Sequence, residues 1–196
     1  GRLLASIDPR GITEGDLQAV LTGFRGIQRQ PPPMYSAVKV GGQRLYKAAR
    51  AGKTIDRAER SIVIHALELM SFDGRDATLR VVCSKGTYVR TLCADIGQAL
   101  GVGGHLSALE RRRVGPLSIE RALTVEQVAS HLEAKTLAPH FLSLDELLFE
   151  LPAVIVSGEQ AERVLHGTPV SPVGNGQSLS SLGAGNVRLK DEAGRL

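Results

Sequence analysis

The sequence has no tryptophan, and only three tyrosines and four phenylalanines in 196 residues, so each exposed ring calls for its own explanation. Its two cysteines, Cys83 and Cys93, have nine residues between them and fall on a predicted strand and a predicted helix. Neither a disulfide framework nor a metal motif uses that spacing, and the pair fits a reduced interior. The five histidines, His65, His105, His131, His140 and His166, are scattered without ligand spacing, so no metal site is expected. No apolar run approaches the roughly 20 residues of a membrane span, and no basic stretch followed by an apolar one opens the chain. The expectation is a cytoplasmic protein with no membrane partner. Internal repeats and heptads are absent too.

What is present is enough apolar residue, 42%, for a globular core, and a net charge of +4 that is unevenly spread. Residues 29–60 hold eight lysines and arginines against two acids, and residues 80–115 hold six against two. Residues 116–196 reverse the balance, with six against ten. Positive charge gathered in two stretches favours a polyanionic partner, because each phosphate neutralised releases counterions.

Local patterns divide the chain. Thr13 and Asp16 start a helix with Leu17, Val20, Leu21 and Phe24 on one stripe. Pro31 to Pro33 force an extended segment, and a short helix over 43–50 stops at Gly52. Residues 60–72 read as a strand that pairs with 76–83 across the turn Asp73-Gly74-Arg75-Asp76. Val89, Leu92, Cys93, Ile96 and Leu100 recur at helical spacing before Gly101. Thr124 and Gln127 form a capping box for a further helix. A strand over 151–156, a helix over 159–166 closed by Gly167, a Gly-, Ser- and Asn-rich run over 174–186 and a hairpin around 191–194 complete the chain. Strands mixed with helices and hairpins imply an α+β fold with a mainly antiparallel sheet.

The most informative run is Cys83-Ser84-Lys85-Gly86-Thr87-Tyr88-Val89-Arg90-Thr91, a strand-to-helix turn that sets an aromatic ring and a guanidinium two residues apart. Loops between rigid elements are where binding and catalytic side chains concentrate. Before it stands Pro31-Pro32-Pro33-Met34-Tyr35-Ser36-Ala37-Val38-Lys39-Val40-Gly41-Gly42-Gln43-Arg44-Leu45-Tyr46. After it comes Gly103-Gly104-His105-Leu106-Ser107-Ala108-Leu109-Glu110-Arg111-Arg112-Arg113-Val114-Gly115. In order and spacing the three motifs resemble the bacterial tRNA pseudouridine-55 synthase family, over about residues 23–115.

The resemblance implies an enzyme that isomerises uridine 55 in the T-loop of tRNA to pseudouridine. The base is flipped out, its bond to the ribose is broken, and the ring is rejoined through C5. It implies the pseudouridine synthase fold over 1–150, followed by a small β-rich PUA-like RNA-binding domain, truncated, over 151–196. It calls for no cofactor, and its partner is the tRNA T-stem-loop, met by a monomer. Tyr88 and Arg90 are the implied catalytic pair: Tyr88 packs on the uracil, and Arg90 pairs with a catalytic carboxylate. Leu109 is implied in the uracil pocket. Lys39, Arg44, Lys85, Arg111 and Arg112 are candidate phosphate contacts, with Arg113 beside them. Glu110 stands where the family usually has the first of two arginines, which puts one basic contact in doubt. Tyr35 and Tyr46 are expected to pack the sheet.

The family's catalytic aspartate lies in a Gly-x-Leu-Asp-Pro-x-Ala-Thr-Gly segment. The look-alike around Asp8, Ile7-Asp8-Pro9-Arg10-Gly11, stands too close to Tyr35, and residues 1–10 resemble the linker after that segment. The expectation is therefore a piece of a synthase without its aspartate or its last strand, and inactive by itself. The rival reading is a non-catalytic RNA-binding or RNA-folding protein that keeps the pocket.

Overall fold

The computed structural model describes residues 6–170 and 185–195. Most of the Gly-, Ser- and Asn-rich run and the first half of the linker-like opening lie outside them. The chain divides into two compact units, Gly1–Leu109 and Glu110–Leu196.

The first unit opens with α1 (Glu14–Gly23), and the expected cap is present. The Thr13 hydroxyl accepts from the Asp16 N–H, and the Asp16 carboxylate accepts from the Thr13 N–H. There follow β1 (Gly26–Gln30), β2 (Lys39–Val40), β3 (Gln43–Arg44), α2 (Leu45–Arg50), β4 (Arg60–Phe72), β5 (Ala77–Cys83) and α3 (Val89–Ala99). Strands β1, β4 and β5 form one antiparallel sheet in that order. Asp73 closes the β4–β5 turn by accepting from the N–H groups of Arg75 and Asp76.

The core lies between this sheet and two helices: Leu17 and Leu21 from α1, Ile62, Ile64 and Leu67 from β4, and Leu92 and Ile96 from α3. Burying each contributes about 1.5–3 kcal/mol. Simple alternation along β4 would place Ala66 beside Ile62 and Ile64. Instead the register shifts between Ile64 and Ala66, leaving His65 as the extra residue, so that Leu67 turns inward and is fully buried.

Two details correct the sequence-based elements. Gln43 and Arg44 belong to a hairpin with Lys39 and Val40, not to the helix. Its two turn residues, Gly41 and Gly42, have φ of 56° and 80°, the left-handed pair that a tight hairpin needs. Tyr35 does not pack the sheet: it is 60% exposed. Tyr46 instead lies under the Arg50 guanidinium, 5.5 Å from ring centroid to Cζ.

The second unit holds the hairpin β6 (Arg113–Val114) and β7 (Leu117–Ser118), then α4 (Val125–Glu133), α5 (Leu144–Leu147), β8 (Ala153–Ile155), α6 (Gly158–Leu165) and β9 (Arg188–Lys190). The Thr124–Gln127 capping box starts α4 as expected. Strands β8 and β9 pair in parallel, an exception to the antiparallel rule of the fold. The expected turn at 191–194 forms, with Gly194 N–H donating to the Asp191 carbonyl, but no returning strand follows among the described residues. Arg188 and Lys190 both reach Asp145, at 2.6 and 2.8 Å, tying α5 to β9. The histidines are not all apart, since the rings of His131 and His140 meet at 4.3 Å between centroids.

Candidate nucleotide site

The turn after β5 is pinned from three sides. Ser84 exchanges two hydrogen bonds with the Val63 main chain: its N–H donates to the Val63 carbonyl at 2.8 Å, and its hydroxyl accepts from the Val63 N–H at 2.9 Å. Gly86 takes φ of 86°, a left-handed value that a side chain there would strain. The Thr87 hydroxyl donates to the Ser84 carbonyl, closing the loop just before Tyr88.

Tyr88 is the residue from which α3 starts. Its φ and ψ of −99° and 101° are extended, and its carbonyl accepts from the N–H groups of Thr91 and Leu92. A tyrosine has no short polar group to cap a helix, and its side chain makes no cap bond. Gln30, at the end of β1 and 4% exposed, faces its backbone. Gln30 Oε1 accepts from the Tyr88 N–H at 2.8 Å, and Gln30 Nε2 donates to the Tyr88 carbonyl at 3.2 Å. Tyr88 as a whole is half-buried.

Arg90, in the first turn of α3, is exposed, and its Nη2 donates to the Tyr35 carbonyl at 2.9 Å. No carboxylate among the described residues forms an ion pair with it. The Asp8 look-alike is spent locally, its carboxylate taken up by the Arg10 main chain and guanidinium. On the same helix Asp95 has its carboxyl pushed above the usual range by partial burial.

The loop after α3 returns along the helix through glycines. A Cβ on Gly97 would stand 2.2 Å from the Gly103 carbonyl carbon, and one on Gly104 would stand 2.6 Å from the Cys93 carbonyl oxygen. Glycine is the one residue that permits this approach, and it carries the chain on to Leu109, which is 57% exposed and so not a core residue.

The basic candidates fall in separate places. Lys39 and Arg44 line an open groove on the β2–β3 hairpin with Gly41, Gly42, Tyr46 and Lys47. Arg44 Nη1 donates to the Tyr46 hydroxyl at 3.4 Å, and this bond is the main cause of the phenol's lowered pKa. Lys85 is exposed on the turn itself. Arg111 and Arg112 belong to the second unit, where Arg112 pairs with Glu110 at 3.5 Å and Glu120 at 3.2 Å. Gln30 escaped the sequence reading, because a polar residue at the end of a short strand carries no local sign that its partner stands 58 positions away.

The model of the "TruB family pseudouridylate synthase (N terminal domain)" matches residues 1–89, and that of the "tRNA pseudouridylate synthase B C-terminal domain" matches residues 90–151. The chain belongs to the TruB pseudouridylate synthase family. The tRNA pseudouridine synthase B of Pseudomonas aeruginosa (strain UCBPP-PA14) is 42% identical over 200 residues, across 100% of this chain and 63% of that protein. The Symbiobacterium thermophilum protein of the same name is 46% identical, across 85% of this chain and 55% of its own length. The chain therefore spans less than two thirds of these TruB relatives.

Among solved structures, a Cbf5-Nop10-Gar1 complex superposes with a TM-score of 0.71 at 24% identity, covering 97% of this chain and 55% of that one. An H/ACA RNP bound to a substrate RNA containing 2'-deoxyuridine gives 0.64 at 21%, covering 97% and 54%. At such identities the likeness bears on the fold alone, the mixed α+β fold that this chain shares with those two.

Proposed function

We propose that this chain carries the uracil-holding half of a tRNA pseudouridine synthase acting on uridine 55 of the T-loop. The observation that carries the reading is the Tyr88–Arg90 turn, in which a half-buried Tyr88 starts α3 and an exposed Arg90 follows two residues on in its first turn. The names of the 42% and 46% identical relatives support the same chemistry.

In this reading the target base leaves its stack and packs against Tyr88, at a cost offset by stacking on the ring. The bond from N1 to the ribose breaks, the base turns, C5 joins the same ribose carbon, and the proton lost from C5 is matched by one taken up at N1, so that uridine and product are isomers. No cofactor is called for. Arg90 exchanges its main-chain acceptor for an ionised carboxylate beside the ribose, and that carboxylate lies outside these residues. Lys39, Arg44 and Lys85 hold phosphates and Leu109 lines the uracil pocket; in the second unit Arg111 and Arg112 are further phosphate contacts. Residues 151–196 form a PUA-like RNA-binding domain that follows the synthase domain at 150/151. The protein works as a cytoplasmic monomer.

The test is tritium release from a T-stem-loop RNA labelled at uridine C5. The full-length gene product should release it at position 55, and the 196-residue chain should bind the RNA and release none. Release by the 196-residue chain would overturn the division of labour, and no release by the full-length product would overturn the reading. That second outcome favours the rival, an RNA-binding protein without chemistry.

A further inference from the structure

We infer that Gln30 is a positioning residue of the Tyr88 site, acting as a two-way clamp on the Tyr88 main chain. The inference rests on the reading of Tyr88 and Arg90 given above, and it concerns how they are held.

Gln30 and Ser36 are the buried polar residues among those described. A buried primary amide loses its hydration and is retained at a cost unless both ends are bonded. Gln30 bonds both ends to a single residue, with the acceptor taking the Tyr88 N–H and the donor meeting the Tyr88 carbonyl. Its own backbone is fixed by pairing with Arg60 across the β1–β4 ladder. The clamp is therefore rooted in the central sheet, and it reaches the one residue whose extended backbone aims both the Tyr88 ring and the start of α3. Arg90 stands two residues along that first turn, so a single amide sets the direction of both side chains.

A reacting site tolerates displacements of about 0.5 Å, and a misplacement of about 1 Å costs about a hundredfold in rate. An apolar residue could fill the same volume, but it could not fix the peptide planes on both sides of Tyr88.

The two-way nature of the clamp gives it a signature in pH. A neutral carboxylic acid has the same donor and acceptor pattern as the amide, whereas a carboxylate accepts only and faces the Tyr88 carbonyl with like partial charge. Burial raises the pKa of an introduced glutamate, bringing its titration towards neutrality.

In the full-length protein at about pH 8, Gln30→Glu and Gln30→Leu should each lower kcat at least about tenfold, with RNA affinity within about threefold of the unsubstituted protein. On going to about pH 6, Gln30→Glu should regain turnover relative to the unsubstituted protein, and Gln30→Leu should not. Equal loss in both variants at every pH, unchanged turnover in both, or affinity falling in step with kcat would each overturn the proposal. Amide hydrogen exchange in the 196-residue chain supplies a readout free of activity. Gln30→Leu should speed exchange at Tyr88 while leaving the β4–β5 ladder protected, and unchanged exchange at Tyr88 would refute the clamp. An unsubstituted full-length protein without synthase activity would sink the functional reading instead, and exchange at Tyr88 would then decide the clamp.

Discussion

Arg90 donates a 2.9 Å hydrogen bond to the main-chain carbonyl of Tyr35, across 55 positions of sequence. The guanidinium proposed to face a carboxylate thus holds the segment that leads from the prolines to the basic hairpin. A neutral carbonyl is a weaker partner than a carboxylate, so the bond can yield to an acid when one is supplied.

Arg90→Ala in the full-length protein should therefore lower kcat at least about a hundredfold while RNA affinity stays within a few fold. Arg90→Lys should recover little, because an ammonium lacks the fork that meets a carboxylate with two bonds. Single-turnover kinetics with a binding titration separates the two effects. Equal loss of both would mean that Arg90 binds RNA and does not serve the chemistry.

Lys39→Ala and Arg44→Ala should act on RNA affinity alone. Taking away one cation that neutralises a phosphate lowers the slope of log affinity against log salt by about 1, and weakens binding to related and unrelated stem-loops alike. Fluorescence anisotropy at several salt concentrations measures the slope. An unchanged slope would remove the β2–β3 groove from the RNA path.

Gly97→Ala should destabilise the first unit by about 3 kcal/mol, at the upper end of overpacking costs. The added carbon meets main-chain atoms of Gly103 and Gly104, which cannot rotate aside as a side chain would. Urea unfolding followed by circular dichroism reads the loss. Leu67→Ala, which empties a fully buried site, should cost about 2–5 kcal/mol in the same assay.

In the second unit, Lys190 chiefly, with Arg188, holds the Asp145 carboxyl below its ordinary 3.8, outweighing the opposing effect of burial. A carboxyl whose folded pKa is lowered stabilises the fold fully above its unfolded pKa and loses that contribution as pH falls through the folded value. Exchange at Val156 and Arg188, whose N–H groups bond Lys190 and Pro152, should therefore accelerate below about pH 4. Asp145→Asn should lack this acid step. An identical acid profile in the variant would assign the step to another group.

Much of this architecture is written locally. The Thr13–Asp16 and Thr124–Gln127 boxes, the β4–β5 pair with its Asp73 turn and the stop at Gly101 all follow from neighbours in sequence, and the structure has them. The turn bearing Tyr88 and Arg90 is also apparent there, because a change of period from two to 3.6 marks it. The bulge at His65 is not, since it answers to packing against α1 and α3 rather than to anything in residues 60–72. Gln30 and the Arg90–Tyr35 bond are hidden for the same reason, as both join residues more than 50 positions apart. The hairpin at Gly41-Gly42 has a local sign that the helical pattern after it masks.

The central claim is that the Tyr88 ring receives an extruded uracil. The direct measurement is an intermolecular NMR contact between Tyr88 ring protons and H6 of uridine 55, in a complex of the full-length protein with T-stem-loop RNA and with tyrosine as the one protonated aromatic. The account predicts that contact together with an upfield shift of H6, both absent in Tyr88→Ala. A complex that forms at the same affinity while H6 keeps its stacked shift, with no contact to Tyr88, would contradict it.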